Sequence, residues 1–100
     1  MNSNPLPASY AEHDRFENEL FQTKSVTALK YLIDAGRELE FHCGDIPCFL
    51  TRSNPDRLVS LWCHDTEQCF ASMEELLAHS CIHDIPFQEA WQTAELDFLF

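Results

Sequence analysis

One hundred residues are enough for one domain, and with 45% hydrophobic and 12% aromatic residues the chain is not compositionally disordered. Six basic residues face 17 acidic ones, a net charge of −11, which argues against direct binding to nucleic acid or to an anionic membrane, since both need a positive face. No apolar run approaches the ~20 residues of a membrane span, and Met1–Pro7 lacks the charge and apolar stretch of a signal peptide, so a cytoplasmic location is expected.

The first eight residues, with Pro5 and Pro7, read as a flexible arm before a single domain over 9–100. Ser9 to Glu12 matches a capping box and opens a helix over about 10–22. Thr23-Lys24 reads as a break or a weak spot. Ser25 caps a second helix, in which Val26, Leu29, Leu32 and Ile33 share a face and Gly36 stands at the C′ position.

From Arg37 to Phe70 the chain reads as two hairpins in tandem. Leu39, Phe41 and Cys43 alternate with Glu40 and His42, and Gly44-Asp45 turns the chain back through Cys48 to Thr51. Ser53 to Asp56 has the chemistry of a loop. Val59, Leu61 and Cys63 then alternate with Ser60, Trp62 and His64, Asp65-Thr66 turns the chain, and Gln68–Phe70 is a short fourth strand. Ser72 to Glu75 is a second capping box, and Cys81–Ile85 a connector. Pro86 opens a last helix with Phe87, Ala90, Trp91 and Ala94 on one stripe. Leu96–Phe100 packs home as a final strand or offers an apolar patch to a partner. The expected fold is α+β: N-terminal helices, a four-stranded antiparallel meander and two short C-terminal helices.

Five cysteines and no export signal point away from a disulfide framework. In a meander both hairpin tips lie at one end, so Cys43, Cys48, Cys63 and Cys69 are candidates for a structural zinc site, with His64, His79, Cys81 and His83 as further donors. The competing reading is that the thiols fill core positions. The adjacent pairs His42-Cys43 and Cys63-His64 point to opposite faces of a strand, which leaves only a cross-strand pair such as His42 with Cys69 for nucleophilic chemistry. Only Gly36 and Gly44 are present, so no phosphate-binding glycine loop exists. No enzyme is expected.

Charge is the remaining signal. Residues 1–57 carry all the Lys and Arg and a net −3, whereas residues 58–100 carry eight acids, no Lys or Arg and a net −8. Asp65, Glu67, Glu74, Glu75, Asp84 and Glu89 are therefore candidates for one acidic face that meets a basic protein partner.

The order of features over Ala28–Thr51, Trp62–Leu77 and Ile82–Trp91 resembles a group of small acidic bacterial and mobile-element proteins. In size and charge the chain also resembles anti-CRISPR proteins, the phage-borne inhibitors of Cas effectors. That resemblance implies no shared fold. It implies a non-catalytic inhibitor that blocks nucleic-acid binding or loading by occupying a basic surface of an effector. The alternative is a zinc-stabilised protein-binding module, an adaptor or toxin-immunity protein, whose contact is the apolar Leu96–Phe100 end.

Overall fold

The computed structural model describes residues 8–53 and 56–100; residues 1–7 of the expected arm and the middle of the Ser53–Asp56 loop lie outside them, and Ala8, expected in the arm, is helical. In chain order the elements are α1 (Ala8–Thr23), α2 (Val26–Asp34), β1 (Leu39–Cys43), β2 (Ile46–Arg52), β3 (Val59–Cys63), β4 (Thr66–Phe70), α3 (Met73–His79), β5 (Cys81–Ile82), β6 (Ile85–Pro86), α4 (Phe87–Trp91) and β7 (Glu95–Leu99). The expected α+β class holds. The meander is present, but the sheet has a fifth strand: the order is β4-β3-β2-β1-β7, all antiparallel, and β5–β6 form a separate small hairpin. The C-terminal segment is that fifth strand, and the expected connector is a hairpin turn.

Local chemistry accounts for the boundaries. α1 includes Ala8, so Ser9 lies inside the helix and not at the expected cap position. Lys24, with φ 54°, breaks α1 from α2. Ser25 Oγ accepts from Ala28 N–H at 3.1 Å, the expected N-cap. At the other end, Gly36 has φ 95°, and the bonds Gly36 N–H to Ile33 O (3.0 Å) and Arg37 N–H to Leu32 O (2.9 Å) close a Schellman motif. Ser72 caps α3 by accepting from Glu75 N–H at 3.2 Å, while Glu75 Oε2 reaches back to Ala71 N–H at 3.1 Å.

All the helices that touch the sheet lie on one of its faces. Leu39, Phe41, Leu50, Val59 and Leu61 from the strands meet Leu29, Leu32, Ile33, Met73, Leu76, Phe87 and Trp91 from the helices in one buried cluster. Phe41 is edge-on to Phe87 and Trp91, with ring centres 6.4 and 5.4 Å apart, and Phe87 stacks on Trp91 at 5.6 Å. Each such aromatic supplies about 2–3 kcal/mol of apolar burial. Lys24 Nζ donates to the Trp91, Gln92 and Ala94 carbonyls at 3.0, 2.8 and 2.8 Å, and Trp91 Nε1 donates to Lys24 O at 2.9 Å. The α1–α2 junction is thereby clasped to the end of α4.

No helix among the described residues is long and apolar enough to cross a membrane.

Candidate functional site

Two-residue turns fix where the cysteines point, and the second is His64-Asp65, one residue earlier than the expected Asp65-Thr66, so that β4 already begins at Thr66. Cys43 opposes Ile46 across Gly44-Asp45, and Cys63 opposes Thr66 across His64-Asp65. Cys48 stands two residues beyond Ile46, an even step, and so returns to the face of Cys43. Cys69 stands three residues beyond Thr66, an odd step, and lands on the other face opposite Ser60. Three of the four hairpin cysteines therefore sit together, buried in the core, and the fourth is exposed elsewhere.

Cys48 and Cys63 are cross-strand partners with sulfurs 4.0 Å apart, and Cys43 Sγ donates to Ala90 O at 3.6 Å. Burial pushes all three thiols above their ordinary range, so without a metal they stay protonated at neutral pH, the form that does not attack. Cys81, His64 and His83 are exposed around an open groove of about 410 Å³ between the β3–β4 turn and the β5–β6 hairpin. His79 ends α3. Among the described residues no group of three or more His, Cys, Asp or Glu side chains is arranged to hold a metal ion. His42 and Cys69 stand on β1 and β4 with two strands between them, a separation of about 14 Å at ordinary strand spacing, so they are no nucleophile–base pair.

The six candidate carboxylates are not gathered on one face. Asp65 and Asp84 occupy the β3–β4 and β5–β6 turns, and Glu89 is exposed on α4. Glu74 is paired with Lys30, which holds its carboxyl below the usual range and Lys30 above its own. Glu75 serves as a cap. Glu67 alone lies on the sheet face opposite the helices, where Ser60 Oγ donates to its Oε2 at 2.7 Å.

That opposite face is the feature missed by reading the chain for charge blocks. No helix among the described residues covers it. Phe98, Glu40, Phe49, Trp62 and Glu67 are successive cross-strand partners along β7-β1-β2-β3-β4, so they form one row across the sheet. A bulge in β7 opposite Glu40 and Phe41 turns both Asp97 and Phe98 to this side. Asp97 meets His42 Nδ1 at 2.9 Å, and Glu95 meets His42 Nε2 at 3.3 Å. Glu38 accepts from Thr51 Oγ1 at 2.8 Å on the same side. Between the row and the hairpin tips is a shallow groove of about 320 Å³, lined by Glu40, Pro47, Phe49, Trp62, His64 and Asp97. Alternation along the first hairpin shows Glu40 and Phe49 off the core side; the bulge has no signature in the sequence.

Against these carboxylates stands little free positive charge. Lys24 is held by carbonyls, Lys30 by Glu74, Arg37 by Glu17 with His13 and Phe100 O, and Arg52 by Asp34 and Arg57 O. No Lys or Arg occupies an open-face position in the five strands.

No family model, curated protein or solved structure matches this chain.

Proposed function

We propose that the chain is a non-catalytic acidic inhibitor that binds a nucleic-acid-handling protein and keeps DNA or RNA from its basic surface, in the manner of the anti-CRISPR proteins it resembles in size and charge. The observation that carries the reading is the division of charge. Four of the six cations are consumed by contacts within the fold, while Glu38, Glu40, Glu67, Glu95 and Asp97 share an uncovered face without a Lys or Arg. Such a face offers carboxylates to a Lys/Arg-lined channel as a phosphate backbone would, and it steers association from a distance. The reading needs neither metal nor nucleophile.

The test is a panel of Cas effectors loaded with guide RNA, with target-DNA binding followed by fluorescence anisotropy as the chain is titrated in. Dose-dependent loss of DNA binding by at least one effector, weakening as salt rises, is the expected result. Within that complex Glu67→Lys weakens inhibition more than Glu74→Lys, because Glu74 is already neutralised by Lys30. DNA binding unchanged across the panel at saturating chain overturns the proposal.

A further inference from the structure

The open sheet face has a composition that selects among partners. Its row mixes apolar rings with carboxylates: Phe98, Glu40, then Phe49 and Trp62 side by side, then Glu67. Phe98 is 62% exposed, while Phe49 and Trp62 are half-buried and line the groove described above. Directly opposed side chains on neighbouring strands stand about 5 Å apart. A planar cation laid on Trp62 is therefore within reach of Glu67, and one laid on Phe49 within reach of Glu40.

We propose that this face is the docking platform for an arginine-rich, extended segment of the partner protein, whose guanidinium planes stack on Trp62 and Phe49 while Glu67 and Glu40 take their charge. The inference rests on the reading of the chain as an acidic binder and says where and how it binds. Arginine fits better than lysine because its planar fork stacks on a ring and pairs with a carboxylate at once, which a compact ammonium cannot do. A single-stranded nucleic acid also stacks bases on aromatic sheet faces, but here its phosphates would meet five carboxylates and no Lys or Arg, the one basic group on the face, His42, being already held between Asp97 and Glu95. A second copy of the chain would set like charges against each other. An apolar peptide would bury the charges of Glu40 and Glu67 without a countercharge, at heavy cost.

The test uses three fluorescein-labelled probes of equal length: an Arg-Gly repeat peptide, its Lys-Gly counterpart and oligouridine RNA. Their binding to the full chain is followed by anisotropy and by the emission of Trp62, Trp91 being buried. The arginine peptide is expected to bind about fivefold tighter than the lysine peptide, and the RNA not at all. The double change Glu40→Gln/Glu67→Gln is expected to lower arginine-peptide affinity about tenfold, against less than about twofold for Glu12→Gln/Asp14→Asn, which removes the same charge from α1. Trp62→Ala, checked for folding by circular dichroism, is expected to abolish the preference for arginine. Equal losses from the two double variants, no preference for arginine, or tighter binding of RNA overturns this inference and leaves the inhibitor reading standing. Failure of every basic probe to bind the unaltered chain overturns both.

Discussion

Lys24 stands in the left-handed backbone region at φ 54°, where a non-glycine residue costs about 1 kcal/mol. What offsets the cost is its ammonium group, whose three protons meet the carbonyls of Trp91, Gln92 and Ala94 at and just beyond the end of α4. Lys24→Met keeps much of the length and the apolar stem of the side chain but removes the ammonium donor, leaving Trp91 O with only Ala94 N–H at 3.2 Å. The expected loss is about 1–2 kcal/mol, read as a lower urea midpoint with an unchanged slope. None of this was legible in the sequence: Thr23-Lys24 reads only as a break, because the carbonyls that justify a lysine there come from about 70 residues further on. The cysteines were half legible. Cys43 falls on the core side by alternation alone, but the separation of Cys69 depends on the two-residue turn at His64-Asp65, which shifts its register by an odd count.

Among the elements, β7 is the one whose place depends on acid–base chemistry. It joins the sheet edge through β1, closed at one end by the reciprocal bonds of Glu38 and Phe100 at 3.2 and 2.7 Å and at the other by His42 between Asp97 and Glu95. Hydrogen bonding to Asp97 raises the His42 pKa above its ordinary 6.5. The folded state therefore holds the proton more tightly than the unfolded chain does. The contribution is fully present below pH 6.5 and is lost as pH rises through the higher folded-state value. Amide exchange of β7 is expected to accelerate across that window beyond the intrinsic base-catalysed increase, and His42→Gln to remove the excess. An identical pH profile in the variant would show that the contact carries no weight. The caps at Ser25, Gly36 and Ser72 and the alternation of the first three strands were legible, since each is written within a few residues. That β7 pairs with β1 was not, because the pairing joins residues far apart in the chain and the bulge at Asp97 serves a contact made only in the fold.

At the level of the whole molecule the sheet has one dry face and one wet one, and the division sorts the five thiols. Cys43, Cys48 and Cys63 lie under the helices, and Cys69 and Cys81 are open to solvent. Charge sorts less cleanly: the net −8 of residues 58–100 is a property of the sequence, but it is spread over turns, two helices and the open face, and only the fold shows which carboxylates lack a cation. The sorting of the thiols gives the molecule a built-in stopwatch. Pulsed with iodoacetamide at neutral pH under native conditions, the chain is expected to gain two carboxamidomethyl groups at once and three more only as the sheet opens. Intact mass spectrometry would read the split without any probe being introduced. The slow phase would report how often the core breathes, and its change on adding a partner would measure how firmly that partner holds the fold shut. All five reacting together would mean that the dry face is not dry.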